Sequence, residues 1–390
     1  MDSWLQARRT VASLVTAALC GTIGWSGHTG ALLLSFLFLV VFLIQQDHKS
    51  AYAVAWMYYA ASTWPLVPGA STFFGPHSGV WRGVVLWFVA SSLLATPWGL
   101  FYRCSWPSRY ASVAAAVVAT TLLPIGLFGL ASPLTCAGLL FPGLGWSGIL
   151  ATLLLPPAIV RRPFLGISAT IALFATAHSI EPKKSVTRPT WAAIDTAFGR
   201  QLEGQDPIRE FQTATMIQRV LLNSSARVVI FPEAALTHWN DATELFWEST
   251  LKALAERGIT VMLGTTMAVP GTRQRLNGVL IRGADKSSFF IQHVPVPFSM
   301  WRPFSNSRYP LRLGAPGTVQ VAGERAGILI CYEMLLTWPV LSMSLEHPTI
   351  LIGVANDYWA RDTPIPAVQK LCITAWARLF AIPARTATNL

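Results

Sequence analysis

Long apolar stretches separated by short polar connections fill residues 1–180. A helix rises about 1.5 Å per residue, so roughly 20 apolar residues cross the core of a bilayer. Each stretch has about this length, and the pattern therefore predicts an N-terminal transmembrane domain, 1–180, of about seven helices. The stretches lie near 10–26, 30–46, 51–67, 83–102, 110–130, 134–159 and 164–179.

The pattern changes after a polar linker at 181–190. Short runs rich in β-branched residues then alternate with amphipathic segments, which is typical of a layered α/β domain. We predict strands at 226–231, 259–266, 278–283, 288–294, 317–323, 327–331 and 349–355. We predict helices at 205–223, 241–257, 335–346 and 366–381, the second of them closed by Gly258.

Composition agrees with a membrane protein. The chain is 53% hydrophobic and only 12% charged, whereas soluble domains carry about 25% charged residues. Its net charge of +11 is scattered between apolar stretches instead of forming one basic face, so we expect no direct nucleic-acid binding. None of the five cysteines stands at a CxxC or His-rich spacing, and we therefore expect no metal and no cofactor.

The charges of the connections predict the topology, because short cytoplasmic loops are enriched in Lys and Arg. With a cytoplasmic N terminus, an odd number of spans places everything after residue 180 on the outer face. A cleaved signal peptide is the alternative for the first stretch, but no small-residue cleavage site precedes a polar region. The inner positions hold Arg8, Arg9, Lys49, Arg103, Arg109, Arg161 and Arg162, and the outer ones hold essentially Arg82.

Polar residues follow two of the predicted strands directly. The segment VVIFPE places Glu233 after one strand, and GILICYE places Cys331 and Glu333 after another. Strand ends that meet at one rim are where α/β domains collect active-site groups. A thiol with an ordinary pKa of about 8.5 needs a neighbouring base or cation to react quickly at neutral pH. The two strand ends therefore predict a thiol site.

Five segments resemble a known family. FPEAALT, NGVLI, VPF, GILICYE and GVANDYW occur in the order and approximate spacing of the nitrilase (carbon–nitrogen hydrolase) superfamily. The spans before them make the chain similar to the apolipoprotein N-acyltransferase branch, and its length resembles the TraB-type conjugal-transfer proteins of agrobacterial and rhizobial plasmids. The resemblance implies an α/β nitrilase-like αββα sandwich over 191–390, periplasmic and short at its C terminus, behind a polytopic region in a bacterial inner membrane.

The resemblance also implies a Glu-Lys-Cys site in which a thiolate attacks an acyl carbonyl and forms a thioester. Cys331 matches the nucleophile and Glu233 the general base, and Tyr332 would supply a backbone N–H to the oxyanion. Other residues that we expect around the pocket are Glu333, Asn356, Asp357 and Trp359.

The lysine of that site is absent. Aligning 296–298 on the family motif puts Gln292 at the lysine position and Met300 at that of a glutamate. Losing both members of a buried ion pair can be nearly neutral for stability, but the thiol then lacks its activating charge. Loss of one oxyanion donor costs about 10²–10³ in rate. Neither Lys286 nor His293 is a convincing replacement, and the sequence predicts slow, altered or absent turnover.

Structural alternatives remain for each of these residues. Cys331 could be an inert core thiol or pair with Cys372 in a disulfide, and Glu233 could cap a helix. Glu333 could accept structural hydrogen bonds. Asn356 and Asp357 could shape the loop after their strand.

Two functions from different classes follow. The first is a membrane-bound carbon–nitrogen hydrolase or N-acyltransferase that uses Cys331 on an amide or acyl donor at the periplasmic face, with an acylated or lipid substrate, in plasmid conjugal transfer. The second is a non-catalytic assembly or docking factor that contacts proteins of the conjugation machinery. A transporter is disfavoured because the apolar stretches lack intramembrane charges.

Overall fold

The computed structural model describes residues 2–74, 79–105, 108–180, 190–200, 206–302 and 308–390. Most of the predicted linker 181–190 lies outside these residues. The chain divides into two compact units. Unit 1 comprises Met1–Lys183, Leu335–Val340 and Asp362–Ile382, and unit 2 comprises Lys184–Met334, Leu341–Arg361 and Pro383–Leu390.

The helices and strands follow the chain in two blocks. The helices are α1 (Asp2–Gly24), α2 (Leu34–Leu43), α3 (His48–Thr63), α4 (Leu66–Phe74), α5 (Val80–Leu100), α6 (Ser108–Thr121), α7 (Ala137–Leu140), α8 (Gly145–Arg161), α9 (Pro163–Ile180), α10 (Pro207–Leu222), α11 (Asp241–Glu256), α12 (Thr337–Ser344) and α13 (Ile365–Leu379). The strands are β1 (Trp191–Ala193), β2 (Val228–Ile230), β3 (Thr260–Ala268), β4 (Arg275–Gly283), β5 (Ser288–Ile291), β6 (Thr318–Val321), β7 (Glu324–Ile330), β8 (Ile350–Asn356) and β9 (Ala384–Asn389).

Unit 1 is helical, and a helix covers most of each predicted apolar stretch. Among the described residues, α5 and α9 are long and apolar enough to cross a bilayer, and a third crossing results if Pro133–Leu140 and Gly145–Arg161 are counted together. These two segments are bent by 116°. The predicted stretch 134–159 is therefore not one straight helix. The first segment ends at Leu140, Phe141 leaves the helical conformation, and Pro142 and Gly143, with a φ of +78° at the glycine, form the connection to α8.

Unit 1 also contains α13 from the C-terminal half of the chain. This helix is apolar on most of its surface, and its backbone carbonyl at Arg378 accepts from Gly143 N at 2.8 Å. Its wide apolar face packs against α7 in unit 1, while Ala367 and Thr374 on the other side are exposed. Its buried residues include Leu371, Cys372, Ile373, Ala375 and Trp376.

Unit 2 contains two sheets. The first has the order β1-β2-β3-β4-β5, parallel from β1 to β3 and antiparallel from β3 to β5. The second has the order β6-β7-β8-β9, in which only the β6–β7 pair is antiparallel. Parallel strands run in the same direction, so the carboxyl ends of β7, β8 and β9 lie at one edge.

Helices α10 and α11 cover one face of the first sheet. Their apolar residues form one core with alternate residues of β2, β3 and β4, such as Ile217 and Trp247 against Leu263 and Leu280. Because side chains alternate along a strand, Asn277, Val279 and Ile281 lie on the other face, and all three are buried. Beyond β5, the side chain of Gln292 bonds to Ile330 O of β7 in the second sheet.

The second sheet carries α12 on its outer side. A Cβ added at Gly327 of β7 would lie 2.2 Å from the sulfur of Met343 in α12. Unit 2 therefore combines two sheets with helices that pack on them. The ends of β2, β7 and β8 lie close together, as the hydrogen bonds below show.

Candidate functional site

Glu233 follows β2, and its carboxylate is buried, with 8% of the residue exposed. Oε1 accepts from Asn277 Nδ2 at 2.6 Å, and Oε2 accepts from Asn356 N at 3.0 Å. Burial raises the pKa of Glu233, while these two donors and a hydrogen bond with Cys331 oppose the rise. Glu233 is therefore a fixed carboxyl group whose basicity is increased.

Gly264 of β3 makes room for this carboxylate. A Cβ at position 264 would lie 2.0 Å from Pro232 O and 2.4 Å from the Cα of Glu233. Only glycine allows the chain before Glu233 to pass so close to β3. The residue next to Glu233, Ala234, has a φ of +53°, so the backbone also turns sharply here.

Cys331 follows β7 and opens the 3-10 turn Cys331–Leu335. It is 6% exposed, and its φ is +52°, a conformation that is strained for a residue with a Cβ. Its side chain hydrogen-bonds with Glu233. Burial raises the pKa of the Cys331 thiol well above its ordinary value, and the charges of Glu233 and Asp357 raise it further. The resting group is a neutral thiol next to a carboxyl base.

Gln292 lies within the same buried group, 1% exposed. Its Oε1 accepts from Asn277 Nδ2 at 2.9 Å, and its Nε2 donates to Ile330 O at 3.1 Å. Ile330 precedes Cys331, so the amide lies beside Cys331, at the position where the motif comparison predicts a lysine. It supplies hydrogen bonds but no charge. Met300 lies in the turn after the motif, where its N–H donates to Val296 O.

Asn277 is the residue that sequence reasoning missed. One amide nitrogen donates to both Glu233 and Gln292, and the residue is 4% exposed. It belongs to the segment NGVLI, so its family match was visible in the sequence. Buried asparagine within a strand needs partners for its amide, and that requirement was the signal for a role here.

Glu333 holds the turn of Cys331 in place. Its Oε1 accepts from His293 N at 2.6 Å and Val294 N at 2.8 Å, and its Oε2 accepts from Ile330 N at 2.8 Å. Burial raises the pKa of Glu333 to about 7 against the effect of these three donors. The contacts connect the segment after β5 to the end of β7, which is a structural function.

The remaining predicted residues lie around this centre. Asn356 ends β8 and gives its N–H to Glu233. Asp357 is fully buried, and its charge reaches the Cys331 thiol. Trp359 is half-buried in the short turn Tyr358–Ala360, and Tyr332 is half-buried in the turn of Cys331.

Neither a disulfide nor a metal cluster forms part of the site. Neither Cys331 nor Cys372 is part of a disulfide, and they belong to different units. Over the described ranges, no group of three His, Cys, Asp or Glu side chains could hold a metal ion.

Comparison with known proteins confirms the resemblance seen in the motifs. A probable conjugal transfer protein TraB of Sinorhizobium fredii is 29% identical over 379 residues, 96% of this chain and 95% of that protein. The conjugal transfer protein TraB of Agrobacterium fabrum is 28% identical over 100% of this chain and 94% of that protein. An apolipoprotein N-acyltransferase of Chlamydia pneumoniae is 27% identical over 33% of this chain and 21% of its own length.

Solved structures give a weaker likeness. An amidase from Nesterenkonia matches with a TM-score of 0.33 at 12% identity, over 45% of this chain and 68% of that one. A variant of a Nesterenkonia amidase described as a member of the nitrilase superfamily gives 0.31 at 11% identity. Likeness at this level says nothing about activity. No family model matches the chain.

Proposed function

We propose that this chain is a membrane-bound, nitrilase-like protein that transfers an acyl group or cleaves an amide through a thioester on Cys331. The observation that carries the proposal is the hydrogen bond between the Cys331 thiol and the buried Glu233 carboxyl group at adjoining strand ends. A nucleophile in contact with a base that is itself held by other groups is the arrangement that covalent catalysis requires. Asn277 and Asn356 hold the base.

The reaction begins with a neutral thiol. As the sulfur of Cys331 attacks the carbonyl carbon, its proton passes to Glu233 and a carbon–sulfur bond forms. Glu233 then returns the proton to the departing amine or alcohol, which leaves a thioester. Water or an acceptor amine attacks that thioester and gives a proton to Glu233. The carbon–sulfur bond then breaks, the acyl product leaves, and Glu233 returns the proton to the sulfur, which restores the thiol. Because its pKa is raised, Glu233 is a stronger base than an ordinary glutamate, which favours its uptake of the thiol proton.

The oxyanion would be bound by neutral donors. The backbone N–H of Tyr332 is one, and the second hydrogen on Gln292 Nε2 is the other, because only one of the two is used by Ile330 O. Neutral donors stabilise a developing negative charge less than an ammonium group does. We therefore propose slow turnover compared with relatives that keep the lysine.

The biological setting is plasmid conjugation at the inner membrane. Support comes from similarity over nearly the full length to two proteins named conjugal transfer protein TraB. The partial match to an apolipoprotein N-acyltransferase favours an acylated or lipid substrate. Loop charges favour a multi-pass chain with a cytoplasmic N terminus and a periplasmic nitrilase-like domain over 191–390.

One observation favours a second function, a docking or assembly factor without catalysis. The Cys331 thiol lies between two carboxyl groups that raise its pKa, and Gln292 adds no compensating charge. A thiol kept protonated is a poor nucleophile. On this alternative, Glu233, Asn277 and Gln292 would serve only to join the two sheets.

Conjugation frequency separates the two functions. A donor strain that lacks the gene would be complemented with wild type, Cys331→Ala or Cys372→Ala, the last a matched control because Cys372 is equally buried but belongs to unit 1. The enzyme predicts that Cys331→Ala lowers transfer to the level of the deletion while Cys372→Ala does not. Wild-type transfer with Cys331→Ala at normal protein levels would reject the enzyme and support the docking factor.

A further inference from the structure

Asn389 ends β9, and every hydrogen-bonding function of its side chain is used. Oδ1 accepts from Thr196 Oγ1 at 2.9 Å and from Phe198 N at 2.8 Å. Nδ2 donates to Gly199 O at 3.0 Å and to Asn356 Oδ1 at 2.8 Å. The residue is only 1% exposed. A buried amide with four partners holds them rigidly, because any displacement leaves a polar group without water or partner.

One of these partners leads directly to the candidate base. Asn356 and Asn389 are paired at the ends of β8 and β9. The side chain of Asn356 is held by Asn389, and its backbone N–H donates to Glu233 Oε2 at 3.0 Å. The next residue, Asp357, donates its N–H to Asn389 O at 2.8 Å. Asn389 therefore holds Asn356 through its side chain and Asp357 through its N–H, and the N–H of Asn356 is the one that binds Glu233.

The other partners belong to the segment 196–199. Two backbone bonds reinforce the side-chain contacts of Asn389: Leu390 N donates to Thr196 O and Thr196 N donates to Thr388 O, both at 2.9 Å. Arg200, which follows this segment, hydrogen-bonds with Tyr358, and the Tyr358 phenol lies within electrostatic reach of Glu233. Asn389 thus joins two segments that flank the carboxylate.

We propose that Asn389 is a positioning residue, which acts through Asn356 to keep the Glu233 carboxylate directed at the Cys331 thiol. This inference rests on the proposed function, since it assigns a purpose to the base of that reaction. Asn389 does not touch the reacting atoms. Its removal would loosen the Asn356 N–H, and a carboxylate that loses a donor ionises less readily.

The test is the pH dependence of Cys331 alkylation. Iodoacetamide would be applied to the full chain in membranes, and modification of Cys331 would be followed by peptide mass spectrometry. If Glu233 accepts the thiol proton, the rate falls at low pH as Glu233 becomes protonated. Among the described residues, the titratable groups that face Glu233 are Cys331, Glu333, Tyr309 and Tyr358, and Asp357 faces Cys331. These groups are unchanged in Asn389→Ala, whereas Asn389→Asp adds one carboxylate, whose negative charge would also raise the pKa of Glu233.

Three variants decide the outcome. In Asn389→Ala the acid limb, which is the fall of the alkylation rate at low pH, should move up by at most about one pH unit, since the bond from Asn356 N–H to Glu233 is weakened. Asn389→Asp, nearly isosteric and able to keep both bonds at Oδ1, loses the bond to Asn356 and should shift in the same direction. Arg385→Ala is the control, because Arg385 lies on the same strand and bonds to Trp191 O instead. Its acid limb should match wild type.

Two results would overturn the inference. If Asn389→Asp is folded and its acid limb coincides with that of wild type and Arg385→Ala, Asn389 is only structural, and the proposed function stands. If Glu233→Gln leaves the acid limb of an otherwise normal chain in place, Glu233 is not the base, and both fail together. The inference is supported if the acid limb of the alkylation rate disappears in Glu233→Gln and moves to higher pH in both Asn389 variants.

Discussion

The charge around one sulfur atom decides what Cys331 can do. Two carboxyl groups, Glu233 and Asp357, raise the pKa of the thiol beyond the effect of burial, and Gln292 beside it is neutral. Cys331 and Glu233 therefore stand at the positions that the resemblance gives to the nucleophile and the base, while Gln292 stands at the position of the cation. Proton transfer to Glu233 during attack replaces a preformed thiolate in this account.

Restoring the cation should reactivate the thiol. A positive charge within about 4–6 Å lowers the pKa of an acidic group by about 1–3 units, so Gln292→Lys should lower the pKa of the Cys331 thiol. We expect alkylation of Cys331 at neutral pH to be at least about tenfold faster than in wild type. The measurement is the rate of iodoacetamide labelling against pH. An unchanged midpoint in a folded variant would show that position 292 does not control the charge of the sulfur.

Among single residues, those that come directly after a predicted strand could be assigned to the site from the sequence. Glu233 and Cys331 come directly after apolar runs, and a parallel arrangement brings such ends together. Asn277 and Asn389 were not assigned roles, because alternation along a strand gives only the face of a residue and not its partners across the sheet. The two bonds of Asn277 cross from β4 to groups 44 and 15 residues away.

Among the elements, the turn after β7 depends on one buried carboxyl group. Burial raises the pKa of Glu333 from an ordinary 4.5 to about 7, so between these values the folded chain keeps a proton that the unfolded chain has lost. This contribution to stability is complete below about pH 4.5 and is lost as the pH rises through about 7. Its size is on the order of 3 kcal/mol, and the raised pKa of Glu233 acts in the same direction.

Thermal unfolding in detergent at pH 5 and pH 8 measures this effect. Wild type should melt at a lower temperature at pH 8, and Glu333→Gln should reduce the difference while lowering the melting temperature at both values, because an amide cannot accept all three backbone bonds. Glu256→Gln is the control, since Glu256 is exposed at the end of α11. Equal pH dependence in wild type and Glu333→Gln would contradict the assignment.

The approach of β3 to Glu233 gives a steric prediction. Gly264→Ala would place a Cβ against the backbone of Pro232 and Glu233 and force them apart. We expect a loss of about 1–3 kcal/mol in the free energy of unfolding, together with slower alkylation of Cys331 as its base moves away. Gly314→Ala is the matched control, because a Cβ there meets nothing within 4 Å. The account would be wrong about this contact if the two variants behaved alike.

Most strands of unit 2 lie where the hydrophobic pattern predicts them, since buried β-branched runs bounded by turn residues are specific for strands. The pattern did not predict β1 and β9. Strand β1 has only three residues, and β9 reads ARTATN, without an apolar run. Its burial comes from pairing with β8 along six residues, which is a tertiary effect that local sequence does not contain.

For the whole molecule, the number of membrane crossings in the apolar N-terminal half determines the face on which the C-terminal half lies. Helices cover the predicted stretches. Among the described residues, however, only α5 and α9 have the length and apolarity of complete spans, and Pro133–Leu140 with Gly145–Arg161 makes a third if this bent pair is counted as one span. Seven spans and a periplasmic C-terminal half therefore remain predictions. Bending was not predictable from hydrophobicity alone, because Pro142 and Gly143 interrupt a stretch that is otherwise apolar.

Reporter fusions test the topology. Alkaline phosphatase is active only outside the cytoplasm, and a fusion after Leu390 should be active if the number of spans before residue 180 is odd. A β-galactosidase fusion at the same position should be inactive. As a control, both reporters would be fused in the predicted cytoplasmic connection near Arg103, where their activities should be reversed. β-Galactosidase activity at residue 390 would overturn the seven-span prediction and the periplasmic location of the site.

The most direct test of the central claim is to look for the thioester itself. Wild type, Gln292→Lys and Cys331→Ala would be isolated from membranes containing natural lipids, and the peptide with residue 331 would be analysed by mass spectrometry before and after neutral hydroxylamine, which cleaves thioesters. The account predicts an acyl group on Cys331 that hydroxylamine removes. In Cys331→Ala, no such acyl group should be found on the chain. An unmodified Cys331 in both wild type and Gln292→Lys, with normal conjugation by Cys331→Ala, would contradict it.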